Sequence, residues 1–476
     1  MVWLVLFGIV FISQCGIILL LEFRSPTKAV AWLFISYCAP FFGFVIYYFV
    51  ARNYRSRRTI RKKGTILFRE VRSRLWSQAA VIQSVDNMGN PEFATQTRLF
   101  SLLSHLTENP ITACSEIEVL TDGEATYAAM LRALEQARHH IHIQFYIFRD
   151  DEIGQRFIDI LIRKALAGVK VRMMCDGLGS YHLTDRFVRR LKSAGIEFYF
   201  FLPPFTSFIQ REVNYRNHRK ILVIDGEIGF IGGLNVGDDY LGHDPKLGYW
   251  RDTHLQVRGD TVYFLQIVFL EDWEFASGQR ITDSIYFPVH QCVGSERALI
   301  VASGPDRNWD AIQEMCFSAL AVAKQRICIT TPYFIPDQSI YAALKTAAIS
   351  GVEVDIIIPN ISDSQVVQYA SLSYLEELMR VGVRVHQYEK GFVHAKIVII
   401  DDLLASVGTA NMDMRSFYSN FELCAVLFEQ ETIERLMDDF RRDLQVSRKI
   451  NYHEFIRRPR IQKTMETLSR MLSPLL

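Results

Sequence analysis

Two stretches near the N-terminus carry no charged side chain. Met1 to Leu21 is the first, and at about 1.5 Å per residue a helix of that length crosses a hydrocarbon layer roughly 30 Å thick. Ala29 to Val50 is the second, after EFRSPTK, whose Pro26 suits a turn. Pro40 and Gly43 inside the second run are compatible with a membrane helix. The pattern therefore predicts a transmembrane helical hairpin over residues 1–50.

Beyond residue 110 the periodicity changes. HHIHIQFYIF (139–148) and QRICITTPYF (325–334) are strand patterns that each follow a helical one. GVKVRMMCD from Gly168 answers GVEVDIIIP from Gly351, and AGIEFYF from Ala194 answers VGVRVHQY from Val381. Recurrence of helix and strand in this order predicts α/β architecture: two tandem sandwich halves, 111–290 and 291–446, with mixed, largely parallel, buried sheets. Residues 51–110 read as a basic juxtamembrane segment and helical connector, and 447–476 as a basic amphipathic tail suited to an anionic membrane surface or to solvent.

Composition narrows the classes. With 53 basic against 52 acidic residues, the net charge of +1 gives no field for gathering polyanions, so no nucleic-acid partner is expected. Local charge matters more: Arg52, Arg55, Arg57, Arg58, Arg61, Lys62 and Lys63 follow the second apolar run without an acid between them. By the positive-inside rule this segment and everything behind it are expected to face the cytoplasm. The eight cysteines show no C-x-x-C spacing and read as reduced packing residues in a reducing compartment.

The repeat is sharpest in NHRKILVIDGEIGFIGGLN and VHAKIVIIDDLLASVGTAN. His218, Lys220, Asp225 and Asn235 recur as His394, Lys396, Asp401 and Asn411, each pair separated by 176 residues. Alternation places His and Lys on one face of a strand, and two such strands side by side would bring two imidazoles and two ammonium groups into one pocket. A phosphodiester fits that pocket. Lys220, Lys396, Asn235 and Asn411 supply cations and amides for its oxygens, while one imidazole serves as nucleophile and the other as proton carrier. Asp225 and Asp401 complete the catalytic motif in a role closer to strand-end scaffold than to proton carriage. His139, His140 and His142 read as structural. Each motif His is partnered by Lys, which repels a cation, so no metal is expected. Without a phosphate-binding or dinucleotide-binding glycine loop, no nucleotide cofactor is implied either.

The doubled H-x-K-x4-D motif resembles the phospholipase D superfamily. RSPTKAVAWLF, QFYIFRDDEIG, RNHRKILVIDG, TPYFIPD and the ending near SPLL look like its bacterial cardiolipin synthases. The resemblance implies an enzyme of the bacterial inner membrane that moves a phosphatidyl group between two phosphatidylglycerols and releases glycerol. It implies His218 as nucleophile, His394 as acid then base, and Glu422 as the acid orienting an imidazole, with Asp252 its substitute in the first half. It implies no cofactor and leaves a homo-oligomer open. Hydrolytic phospholipase D or another phosphatidyltransferase share the motif, whereas complete motifs in both halves disfavour a non-enzymatic scaffold. Phe200 to Gln210 is too apolar for an ordinary loop and is expected to dip into the bilayer interface.

Overall fold

The computed structural model describes residues 2–22, 26–50, 68–205, 207, 214–307 and 309–476. Val2–Leu21 forms the first helix as expected. The second apolar run, expected as one span, is instead two helices, Pro26–Cys38 and Phe42–Val50. They break at Pro40, which has no amide to donate, and at Phe41, held at φ 67°. Among the described residues no helix is long and apolar enough to cross a membrane. Ile18, Trp32 and Tyr47 form a small cluster, and Leu475 packs against it. The basic run from Arg52 to Lys63 lies outside the described residues.

In the first half the strands are β1 (Thr112–Thr121), β2 (His140–Phe145), β3 (Lys170–Asp176), β4 (Glu197–Phe201), β5 (Ile221–Ile224), β6 (Ile228–Gly232), β7 (Tyr249–Arg251) and β8 (Thr253–Gly259). The second half adds β9 (Glu296–Ser303), β10 (Arg326–Thr330), β11 (Phe334–Ile335), β12 (Glu353–Pro359), β13 (Arg384–Tyr388) and β14 (Gly391–Val393). It closes with β15 (Ile397–Ile400), β16 (Leu404–Gly408), β17 (Met412–Asp413), β18 (Glu422–Leu427) and β19 (Ser447–Lys449). One continuous sheet runs β19-β13-β12-β10-β15-β16-β18-β9-β1-β8-β6-β5-β2-β3-β4. The halves are thus related about the β9–β1 junction.

The expectation of largely parallel sheets is overturned. Within this sheet only β2–β3–β4 and β10–β12–β13 pair in parallel. The remaining pairs are antiparallel, because β5–β6 and β15–β16 are hairpins rather than crossovers.

The sheet folds back on itself, which preserves the sandwich. Ile221 and Val223 share one core with Ile397 and Ile399, together with the helices Thr261–Ser277 and Gln430–Gln445. Leu222 and Ile224 point outward into the helical layer of the first half, while Val398 and Ile400 do the same in the second. Burial on both faces explains why these strands read as unbroken apolar runs.

Two further expectations change. The basic tail is built into the second half: β19 pairs with β13, Arg458 bridges Glu376 and Glu466, and Arg470 donates to the Ser373 carbonyl. Cys114 and Cys292, expected as separate packing residues, are brought together in disulfide geometry. The fold brings together residues 178 apart, with Cα atoms 4.9 Å from each other, and no local spacing could signal this. Buried Cys175, Cys316, Cys328 and Cys424 remain thiols, as expected.

Candidate active site at the junction of the two halves

Each histidine enters its site on a short extended segment just ahead of its strand, since β5 begins at Ile221 and β15 at Ile397. The two segments do not lie side by side. Each docks instead on the opposite half. Asn217 bridges Phe421 in parallel, and the His218 amide donates to the Phe421 carbonyl at 2.9 Å. Correspondingly, β14 pairs in parallel with β7, and the His394 amide donates to the Arg251 carbonyl at 2.7 Å.

This crossing fixes the acids. His218 Nδ1 lies 3.0 Å from Glu422 Oε2 and 3.1 Å from the Thr409 carbonyl. His394 Nδ1 lies 2.7 Å from Asp252 Oδ2. A carboxylate only accepts, so Nδ1 carries the proton in both rings and Nε2 is left for chemistry. Each imidazole is therefore oriented by the other half of the chain. Asp252 lies seventeen residues after Asn235, and Glu422 eleven after Asn411. Yet the two acids are equivalent in the sheet: Gly232 pairs with His254 and Gly408 with Cys424, and each acid stands two residues before that partner. A longer loop in the first half hides the match. Gly233 makes room for Asp252, whose Oδ1 would lie 2.2 Å from a Cβ there. The related Thr409 instead donates its hydroxyl to Glu422.

Lys220 Nζ donates to the His218 carbonyl at 2.7 Å and Lys396 Nζ to the His394 carbonyl at 2.5 Å. Burial lowers both ammonium groups: Lys220 to about 7, with the Lys396 charge adding, and Lys396 to about 8, against the opposing pull of Asp252 and Glu422. Burial also lowers His218, against the pull of Glu422, and takes His394 to about 3 with help from Lys396. Burial pushes the two acids up, but the facing His and Lys outweigh it and both end below their ordinary range. The resting site therefore holds neutral imidazoles on ionised carboxylates.

The other expected residues divide. Asn411 lines one cavity with Lys396, Thr330 and Thr331, and its buried Oδ1 has no hydrogen-bond partner among the described residues. Asn235 is already engaged, accepting from the Ile147 amide and donating to Tyr240. Asp225 and Asp401, expected in the catalytic set, sit at the far ends of β5 and β15. Asp225 accepts from the amides of Arg138, His139 and His140, and Asp401 from those of Lys324, Gln325 and Arg326. They fasten the starts of β2 and β10. His140 and His142 are buried against Tyr286, and His142 stacks on Phe269, in keeping with a structural reading.

The chain as a whole has relatives among known proteins. A family profile described as "Cardiolipin synthase, PLD-like domain" matches residues 130–246 and 317–444, one segment in each half. Cardiolipin synthase of Alkalihalophilus pseudofirmus is 44% identical over 97% of this chain and 91% of its own length. The chain belongs to the cardiolipin synthase family. Cardiolipin synthase of Halalkalibacterium halodurans is 43% identical over 97% of this chain and 91% of its own length. Among solved structures, phosphatidylserine synthase of Haemophilus influenzae shares the fold, with a TM-score of 0.63 and 16% identity over 80% of this chain and 99% of that one.

Within this cardiolipin synthase fold, several residues at the site escaped the repeat. The Tyr146 ring lies 5.0 Å from that of His218, with Lys220 Nζ 5.4 Å from its centroid. Trp250 lies 5.1 Å from His394. Asn420 donates to Glu422 Oε1 at 3.1 Å. A search for identities at fixed offset finds only what both halves share, and these residues occur on one side alone.

Proposed function

We propose that this chain makes cardiolipin from two molecules of phosphatidylglycerol through a phosphatidyl-histidine. The observation that carries the proposal is the crossed pair of Nδ1 contacts, His218 to Glu422 and His394 to Asp252, which frees both Nε2 atoms for one phosphorus. His218 Nε2 attacks the donor phosphorus, a P–N bond forms, and the P–O bond to glycerol breaks. His394 becomes the proton carrier once the bound phosphate anion favours its cationic form, and it protonates the departing oxygen. In the second half-reaction a hydroxyl of the second phosphatidylglycerol returns that proton to His394, attacks phosphorus and breaks the P–N bond. Lys220, Lys396 and Asn411 hold the non-bridging oxygens while charge grows on them. One diester replaces another, so no activated nucleotide is needed.

Membrane attachment through the uncharged N-terminal runs, with the catalytic halves cytoplasmic, belongs to the same reading and rests on Arg52 to Lys63 following the second run.

The test uses phosphatidylglycerol labelled on phosphorus. Cardiolipin and glycerol are the expected products, and phosphatidic acid alone would make the enzyme a hydrolase. With His394→Asn, label should accumulate on the peptide containing His218 after alkaline denaturation. His218→Asn should trap none. Label on the His394 peptide in that variant would reverse the assignment.

A further inference from the structure

The active site treats one phosphorus with near symmetry, but the reaction proposed above brings two phosphodiesters together. The buried arginines distinguish where the second belongs. Five arginines are buried among the described residues: Arg72, Arg172, Arg216, Arg219 and Arg251. Four have a carboxylate within ion-pair distance. Arg72 meets Glu108 and Glu271, Arg172 meets Glu197, Arg219 meets Asp272, and Arg251 meets Asp443. Arg216, 5% exposed, has none within 4.0 Å among the described residues. One of its guanidinium nitrogens turns back to the neighbouring Tyr215 carbonyl at 2.6 Å.

A second guanidinium joins it from the other half. Arg415, four residues after Asn411, donates to the Asn214 carbonyl at 3.2 Å and so lies along the chain segment that carries Arg216. It too has no carboxylate within 4.0 Å among the described residues. Asp176, whose charge reaches Arg216, is committed elsewhere, accepting from the amides of Leu178, Gly179 and Asn217. Burial works most strongly against the Arg216 cation, the Asp176 charge opposes that loss, and the Arg415 charge adds to it. Arg216 is buried and Arg415 half-buried beside it, and two guanidinium groups that share only the charge of Asp176 favour a bound anion.

The pair also breaks the pseudo-symmetry of the site. At the same 176-residue offset, the counterparts of Arg216 and Arg415 are Phe392 and Asp239. Phe392 packs beside His394, and Asp239 is paired with Arg149. Among the described residues, one side alone sets two arginines together without an ion-paired carboxylate. Arg216 precedes His218 by two residues, about 6.6 Å of extended chain. The two phosphates of cardiolipin are joined by a three-carbon bridge of comparable reach.

We propose that Arg216 and Arg415 bind the phosphodiester of the acceptor lipid while its glycerol hydroxyl reaches the phosphorus on His218. They are specificity-determining residues, since a pocket with this cradle favours an alcohol that carries its own phosphate over water or free glycerol. The inference rests on the two-phosphatidylglycerol reading above.

Two reactions of the full-length enzyme in detergent with phosphatidylglycerol separate the possibilities. Exchange of labelled glycerol into phosphatidylglycerol requires the phosphatidyl-histidine but no second phosphate. Cardiolipin formation requires both. For Arg415→Gln, the ratio of cardiolipin formed to glycerol exchanged should fall at least tenfold, with Arg415→Lys restoring part of it. Arg216→Lys, which keeps the charge but loses the fork, should lower the same ratio and covers the case in which Arg415→Gln does not fold. If exchange and synthesis fall in parallel in both variants, the arginines serve the chemistry or the fold and the proposal is wrong. If wild-type synthesis and exchange are both suppressed by inorganic phosphate, and the variants resist it, the cradle takes a free anion rather than the acceptor. A wild-type enzyme that exchanges glycerol but forms no cardiolipin would instead remove the underlying reading.

Discussion

At the residue scale the site is two imidazoles, each steadied by an acid that sequence distance conceals. Removing the acceptor while keeping shape should be costly, because the ring then loses both its orientation and the charge that supports its cationic form. Glu422→Gln and Asp252→Asn are each expected to lower kcat by roughly 10²–10⁴-fold with little change in KM. A drop confined to KM would place these acids in binding. The lysines give a pH dependence of definite sign. Lys220 and Lys396 lose their charge near pH 7 and 8, so kcat/KM should fall as pH rises through that window. Stability should move the other way. Between those values and the ordinary lysine range the unfolded chain binds more protons than the folded one, so the denaturation midpoint should rise with pH. A flat rate profile from pH 6 to 9 would show that the lysines do not hold the phosphate as cations.

At the scale of elements, the motif aspartates explain how the chain keeps its pieces in register. Asp225 and Asp401 adopt φ of 56° and 49° at the tips of the β5–β6 and β15–β16 hairpins, a region that Asp tolerates better than most residues. From there each carboxylate gathers three amides of a preceding strand start. Asp401→Ala strips acceptors from three amides at once and is expected to cost about 3 kcal/mol, read as a lower midpoint in denaturant. Activity per folded molecule should stay near wild type. A variant of unchanged stability that has lost turnover would return Asp401 to the chemistry. The connector is equally structural: Phe93, Leu99 and Leu103 are buried in the core of the second half, so residues 88–106 belong to it despite preceding the first half in sequence.

For the whole molecule, the N-terminal helices and the chain's last residues meet. Leu475 packs on the Ile18–Trp32–Tyr47 cluster, and the Leu476 carbonyl accepts from the Arg415 amide. The catalytic halves are thereby tied to the apolar helices close to the arginine cradle. Under the membrane-attached reading proposed above, Cys114 and Cys292 would report which face the halves occupy. A disulfide persists on an oxidising face, whereas a cytoplasmic dithiol stays reduced. The basic run after Val50 predicts that both cysteines are alkylated in rapidly quenched cells, and that the disulfide closes once oxidant is added. Complete protection from alkylation in untreated cells would put the halves on the other side. The apolar segment from Phe200 to Gln210 lies partly outside the described residues. Phe205 within it is 77% exposed, whereas Phe201 and Leu202 are buried.

The duplication, the paired histidines and the family were legible without coordinates, because His218, Lys220, Asp225 and Asn235 recur at one fixed offset. The sequence by itself also determined the order of helices and strands, since local periodicity records burial on each face. Tertiary structure alone decided what meets across the two halves. Glu422 reaches His218 and Asp252 reaches His394 through contacts spanning 204 and 142 residues, and the unequal loops conceal that the two acids are equivalent. The disulfide, the antiparallel majority of the sheet and the Arg216–Arg415 cradle were hidden for the same physical reason. Each depends on where the sheet folds back on itself, a property of the packed cores that no local pattern carries.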